Sequence, residues 1–145
     1  PPLTSSHKTE KSSWRAGVKV RLSRAVSNGG ANEREGFKRA LQIAEESGTA
    51  LMVHHAGSSL TVTEVLSQLR PGDMYTHCFH AGSGEGTDTA LADTDTLSEV
   101  TKEARARGVL FDLGHGQGSF SWNCAEAAVR PTSTCSLATH FLIQI

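Results

Sequence analysis

The stretch "LMVHHAGSSLTVTEVLSQLRPGDMYTHCFH", residues 51–80, indicates the fold because its hydrophobic period changes twice. The apolar run "LMVHH" is typical of a buried strand, and helical spacing follows it. One face of that predicted helix carries Val62, Val65, Leu66 and Leu69. The turn "RPGD" (70–73) then leads into a second strand, "MYTHCFH". The stretch therefore predicts a strand–helix–strand unit of a parallel sheet.

The same alternation extends in both directions along the chain. Strands are predicted in "AGVKVRL" (16–22) and "VLFDLGHG" (109–116), and helices over 33–48, 96–108 and 120–130. The order βαβαβαβα predicts an α/β fold with helices on one side of the sheet. Its four parallel strands are centred near Val20, Val53, Thr76 and Leu110.

Three helix starts carry side chains that suit an N-cap. Thr61 and Glu64 have capping-box spacing, and so do Thr96 and Glu99. Asn32 is predicted to cap the helix over 33–48, with Glu35 three residues on and Gly48 at its end.

Composition excludes several classes of partner. The chain has 145 residues, enough for one domain, and its 14 basic and 15 acidic residues give a net charge of -1. That balance favours neither nucleic acid nor an anionic membrane. No apolar run reaches the roughly 18 residues of a membrane span. Three widely spaced cysteines do not suggest a disulfide framework, so a reducing, cytoplasmic compartment is expected.

Histidines and glycines follow the predicted strands. His54, His55, His77, His80 and His115 all fall in the last residues of a strand or just after it. The loops after the strands are long and rich in glycine, whereas the turns before them are short. Sites in α/β folds lie at the carboxyl ends of the strands. We therefore expect a functional cluster at that edge rather than a coincidence of structural histidines.

Lys19, His54 and His77 are the candidate metal ligands. They lie on three neighbouring predicted strands and can converge. Burial of a lysine favours its neutral amine, which can take up carbon dioxide and form a carbamate able to bridge two divalent metals. Imidazoles suit zinc and its neighbours. The alternative for Lys19 is a side chain that extends to solvent from the strand end. Strand alternation further predicts that Tyr75, His77 and Phe79 share a face.

Four other residues near this edge also have predicted roles. Arg21 shares a face with Lys19 and either holds a substrate carboxylate or forms a structural ion pair. His80 is a candidate substrate contact. His55 points away from His54 and is expected to be a loop or supporting residue, and Asp112 is expected to be structural.

Four motifs, "GVKVRLS", "LMVHHAGS", "YTHCFHAG" and "VLFDLGHGQGSFSWN", resemble strands four to seven of the amidohydrolase superfamily. Dihydroorotase-like deacetylases are the most similar members, and the resemblance runs from about Gly17 to Arg130. It implies a partial (β/α)8 barrel of four consecutive βα units and a binuclear centre of divalent metal, zinc above all. Lys19 matches the carboxylated bridging lysine, His54 and His77 match two ligands of one metal, and His115 matches a loop that faces substrate.

The sequence departs from this family pattern at both ends. It has no His-x-His pair of the kind found on strand one, and no Asp follows Asp112 where relatives carry the strand-eight base. Residues 1–15 and 131–145 lie outside the pattern, and no catalytic residue is identified. Because strands one and eight are missing, we expect this fragment to be inactive alone. Four strands cannot close a barrel of eight, so the fragment would fold as an open sheet, associate with another copy or be only marginally stable.

The resemblance implies a hydrolase that cleaves an amide or ester bond of a small acyl or cyclic amide substrate with metal-activated water. The alternative is a non-enzymatic α/β module of flavodoxin-like shape, in which glycine-rich loops bind a small anion.

Overall fold

Four parallel strands form the central sheet of the computed structural model, which describes residues 17–80, 90–93, 96–112, 114 and 120–129. The strands are β1 (Val18–Leu22), β2 (Leu51–His55), β3 (Met74–Thr76) and β6 (Leu110–Asp112), and they lie in the order β1-β2-β3-β6. The helices are α1 (Glu33–Glu46), α2 (Val62–Leu66), α3 (Glu99–Arg107) and α4 (Trp122–Val129). This arrangement confirms the predicted alternation and the parallel order of the four strands.

An antiparallel hairpin interrupts the alternation between β3 and α3. Its strands are β4 (Leu91–Asp93) and β5 (Thr96–Leu97), which pair with each other and not with the sheet of four. The sequence predicted only a long loop here, because strands of two or three residues show too little alternation to be recognised.

The core lies on the helix side of the sheet. Leu22, Val53 and Tyr75 of the strands belong to one hydrophobic cluster with Phe37 and Ala44 of α1, and all five are almost fully buried. The buried residues Leu66 of α2, Ala104 of α3 and Phe111 of β6 belong to the same cluster. Apolar side chains at helical spacing thus cover one face of the sheet. The carboxyl ends of the strands are followed by loops and not by this apolar cover.

Among the described residues, few cover the opposite face of the sheet. Lys19 and Arg21 are exposed there, and Met52, His54 and Met74 are half-buried. In this sheet Lys19 pairs with Met52, and Arg21 pairs with His54. Paired residues of adjacent strands project to the same side. The two cations and His54 therefore share this face.

The helix starts test the capping predictions one by one. Thr61 and Glu64 form the predicted capping box at α2. The prediction for Asn32 is wrong, since its side chain makes no capping bond and its backbone is already helical. The box at Thr96 and Glu99 is also wrong: β5 keeps Thr96 extended, and Ser98 caps α3 by accepting from the Thr101 amide.

Two buried carboxylates fasten the loops at opposite ends of the sheet. Glu33, at the start of α1, accepts hydrogen bonds from the hydroxyls of Ser27, Ser58 and Ser59, and so joins the loops that follow β1 and β2. Asp73, just before β3, accepts from the Leu51 amide and from the backbone and guanidinium of Arg70.

Residues 1–15 and 131–145, predicted to depart from the family pattern, lie outside the described residues. Within the described part of the chain, no helix has the length and apolar character needed to cross a membrane.

Candidate functional site

Two histidines meet at the carboxyl edge of the sheet. The rings of His54 and His77 have centroids 4.2 Å apart and planes inclined by 58°. His54 belongs to β2, whereas β3 ends at Thr76, so His77 is the first residue of the loop that follows. Both side chains are half-buried. The structure thus brings together two of the three candidate metal ligands by direct ring contact.

A left-handed backbone at His77 produces this contact. His54 pairs with Thr76 in the sheet, and strict alternation would turn the next side chain to the helix face. His77 instead has φ 63°, a conformation uncommon for a residue other than glycine. The prediction that Tyr75 and His77 share a face is therefore wrong. Tyr75 lies in the core, and the His77 ring stands beside His54.

Both imidazoles favour the neutral form. Burial lowers the pKa of His54 to about 4, and the nearby positive charges of His77, Arg21 and Lys19 add to that effect. Burial also lowers the pKa of His77, although a hydrogen bond to the Gly114 backbone and the charge of Asp112 act in the opposite direction. A neutral imidazole keeps a lone pair, which is what a metal ion needs from a histidine.

Lys19 and Arg21 place positive charge beside the two rings. Both act electrostatically on His54 and on His77, so the two cations and two imidazoles form one group. The burial assumed for Lys19 is wrong: this lysine is exposed, because the face that carries it has little cover in the described residues. Lys19 also lines a pocket of about 270 Å³ near the amino ends of the strands, together with Met52 and Met74.

Residues at the end of β6 and just after it lie close to Thr76 and His77. Asp112 accepts a hydrogen bond of 2.6 Å from the Thr76 hydroxyl, and both side chains are buried. Gly114 has φ 51°, and a Cβ there would stand 2.9 Å from His77 Nδ1 and closer still to the Thr76 hydroxyl. Sequence reasoning gave none of Thr76, Asp112 and Gly114 a place in the site. The glycine of "DLGHG" was the available signal.

The remaining candidates fall in different places. His55 is on the helix face, where Nε2 donates to the Leu60 carbonyl and Nδ1 accepts from the Tyr75 hydroxyl, so it has the supporting position expected. His80 is buried, with 3% of its surface exposed. Arg21 is exposed next to His54. His115 lies outside the described residues.

The donor atoms present fit part of a metal site. His54 and His77 offer two neutral imidazoles at one edge, a donor type that zinc accepts. Among residues 17–80, 90–93, 96–112, 114 and 120–129, no group of three or more His, Cys, Asp and Glu side chains could hold a metal ion. A third protein donor would therefore have to be of another kind or come from elsewhere.

Several bacterial enzymes resemble this chain in sequence. A deacetylase of Enterococcus faecalis is 35% identical over 130 residues, which are 88% of this chain and 34% of that protein. A deacetylase of Brucella anthropi is 34% identical over 113 residues, or 78% of this chain and 27% of the relative. A deacetylase of Agrobacterium fabrum is 33% identical over 120 residues, or 83% and 28%. The chain thus spans about a third or less of these relatives. No family model matches it.

Two solved structures resemble the fold. An adenine deaminase superimposes with a TM-score of 0.65 and 36% identity, over 76% of this chain and 29% of that one. A dihydroorotase superimposes with a TM-score of 0.64 and 35% identity, over 77% and 29%. The parallel sheet and its helices match part of each of these structures.

Proposed function

We propose that this chain, which belongs with the amidohydrolase superfamily as a distant homologue of its deacetylases over part of their length, contributes metal ligands to a hydrolase of amide or ester bonds. The contact between His54 and His77 carries this proposal. Two neutral imidazoles with positive neighbours and lowered pKa values have their lone pairs free of protons at neutral pH. That state suits coordination of a divalent cation, with zinc the best match for the donors.

Lys19 is proposed as the third ligand, in the form of a carbamate. Its ordinary ammonium would repel a metal ion, whereas a carbamate replaces one positive charge by a negative one. That change would also reduce the positive charge around His54, which now faces Lys19 and Arg21. A carboxylate and two imidazoles are donors that zinc commonly takes.

The proposed substrate is a small molecule with an acyl ester, an acyl amide or a cyclic amide. When bound, the metal would supply a positive charge that polarises the carbonyl and acidifies water. Arg21 would bind a carboxylate of the substrate through paired hydrogen bonds, and His80 and His115 would contact the remainder. No residue of this chain is assigned as the general base, since no Asp follows Asp112 in the sequence.

A small-anion-binding module is the second candidate. The exposed guanidinium of Arg21 and the exposed ammonium of Lys19 on one sheet face favour it. The two functions differ in whether they need a metal ion. The hydrolase needs a divalent cation beside His54 and His77, and the anion-binding module needs only the two positive charges.

Zinc titration of the purified chain separates the two candidates. We expect one zinc ion to bind with an affinity that falls by at least about tenfold in His54→Ala and in His77→Ala, since each removes one of few protein donors. Lys38→Ala, an exposed change on α1, should leave the affinity unchanged. Absence of zinc binding, combined with phosphate binding that disappears in Arg21→Ala, would instead support the anion-binding module.

A further inference from the structure

We propose that Asp112 is a positioning residue for His77, holding its backbone and ring in the orientation that presents one ring nitrogen at the carboxyl edge. The consequence for metal binding rests on the proposed function. The effect on the ring itself does not, because it belongs to the metal-free chain.

The two residues that flank His77 are both hydrogen-bonded to Asp112. Thr76 donates its hydroxyl hydrogen to Asp112 Oδ2 over 2.6 Å. Cys78 donates its thiol hydrogen to the Asp112 carbonyl over 3.2 Å. All three residues are buried, with 3%, 2% and 8% of the surfaces of Thr76, Cys78 and Asp112 exposed. One residue of β6 therefore holds the chain on either side of His77.

His77 needs such support because its backbone is unfavourable. A residue with a Cβ at φ 63° keeps that conformation only where its surroundings determine it strongly. The regular pairing of β3 with β6 ends at Thr76 and Asp112, so the sheet itself no longer constrains His77. The side-chain bond from Thr76 and the thiol bond from Cys78 extend the contact between the two strands past the last pair.

Gly114, two residues after the end of β6, holds the His77 ring. The His77 ring donates a hydrogen bond to the backbone of Gly114. Nδ1 is the ring nitrogen on the Gly114 side. Donation from Nδ1 leaves Nε2 as the nitrogen with the lone pair. Partners that orient a metal-binding imidazole in this way typically change metal affinity by about 10–100-fold when they are removed.

Thr76→Val tests the inference, with Thr76→Ser as the variant that restores the hydroxyl. In the metal-free chain, ring ¹⁵N chemical shifts at neutral pH should assign the Nδ1–H tautomer to His77. We expect Thr76→Val to shift the ring toward a mixture of tautomers and to weaken zinc binding by about 10–100-fold. Thr76→Ser should restore both. Asp112→Asn keeps the carbonyl that accepts from Cys78 and an amide oxygen for Thr76, so it should keep the tautomer.

Asp73→Asn is the control for a loss of stability alone. Asp73 is as buried as Asp112 but lies at the other end of the sheet, so its variant should lose stability and keep the His77 tautomer.

A folded Thr76→Val chain with the unchanged tautomer would overturn the inference. If Thr76→Val does not fold, an unchanged tautomer in Asp112→Asn together with loss of the wild-type tautomer in Asp112→Ala would decide for Asp112, and an unchanged tautomer in Asp112→Ala would decide against it. If the wild-type chain binds no zinc, the proposed function fails, and the tautomer still tests the positioning role.

Discussion

His54 and His77 are in ring contact, with centroids 4.2 Å apart, although they are not partners in the sheet. The sheet partner of His54 is Thr76, and His77 reaches the same side only through its left-handed backbone. The position of the His54 ring thus depends on regular strand pairing. The position of the His77 ring depends on the backbone conformation of His77 itself, the first residue after β3. Changes near His77 are therefore expected to affect the site more than changes within β2.

Replacing Lys19 tests the proposed carbamate. Lys19→Ala is expected to lower the zinc content, because it removes the proposed negatively charged donor and leaves two imidazoles. Added acetate or propionate should restore part of the zinc, since a short carboxylate can occupy the vacated place. Elemental analysis after desalting measures both effects, and Lys38→Ala serves as the matched control. An unchanged zinc content in Lys19→Ala would contradict the proposal that Lys19 is a carbamate ligand.

Hydrolysis by the zinc-loaded chain alone is expected to stay near background. Positioned proton transfer typically contributes about 10²–10⁴-fold to such reactions, and no residue here is assigned that role. The exposed face that carries Lys19 and Arg21 also admits water, which weakens charge interactions. The assay is a panel of N-acyl and O-acyl acids. Robust turnover that disappears in His77→Ala would show that this chain does contain the base.

Gly114→Ala is expected to damage both stability and zinc binding. The added Cβ would stand 2.7 Å from the His77 amide nitrogen and 2.9 Å from Nδ1, at a backbone φ of 51°. The left-handed conformation alone costs about 1–3 kcal/mol for a residue with a side chain, and the contacts add to it. Gly48→Ala is the matched control, because Gly48 has φ 62° and open space around it. Urea unfolding should show a loss in both variants, but only Gly114→Ala should weaken zinc binding.

Asp73→Asn is expected to reduce the free energy of unfolding by about 2 kcal/mol, the usual size of losing hydrogen bonds to a charged group. Asp73 is 1% exposed and accepts from the Leu51 amide and the Arg70 guanidinium. Urea unfolding monitored by circular dichroism measures the change. Glu99→Gln removes the exposed ion pair with Lys102 and should alter stability by less than about 1 kcal/mol. Equal effects in the two variants would argue against a special role for Asp73.

Glu33 should make stability depend on pH in the acid range. Burial acts to raise the pKa of Glu33, but hydrogen bonds from Ser58, Ser59 and Ser27 outweigh it, and the pKa is lowered from its ordinary value of 4.5. Because the folded pKa is below the unfolded one, the stabilisation is present above pH 4.5 and is lost as the pH falls through the folded value.

Glu33→Gln provides the comparison for this pH effect. At pH 7 the variant should be less stable by about 2 kcal/mol, since hydrogen bonds to a charged group are lost. That difference should shrink as the pH falls below 4.5, where Glu33 of the unfolded chain is protonated first and Glu33 of the folded chain follows at lower pH. Urea unfolding of both chains over a pH series measures it, and a constant difference down to the lowest pH would contradict the assignment.

The sequence predicted the regular parts of the fold well. The apolar period of residues 18–22 and 51–55 and the helical spacing of residues 33–46 identified strands and helix close to their observed bounds. The capping box of Thr61 and Glu64 was also readable, because both of its bonds join residues three positions apart. The start of α3 was not, since pairing in the hairpin keeps Thr96 extended and moves the cap to Ser98.

By itself the sequence determined which residues follow the strands, and therefore that His54 and His77 would approach the same edge of a parallel sheet. Spacing along the chain is sufficient for that, because parallel strands bring their carboxyl ends together. Only the tertiary structure decided how the His77 ring faces. His77 has a left-handed backbone, and the hydrogen bonds of its two neighbours to Asp112 join residues more than 30 positions apart. Contacts of that range leave no periodic pattern, since they exist only once β3 and β6 are packed side by side.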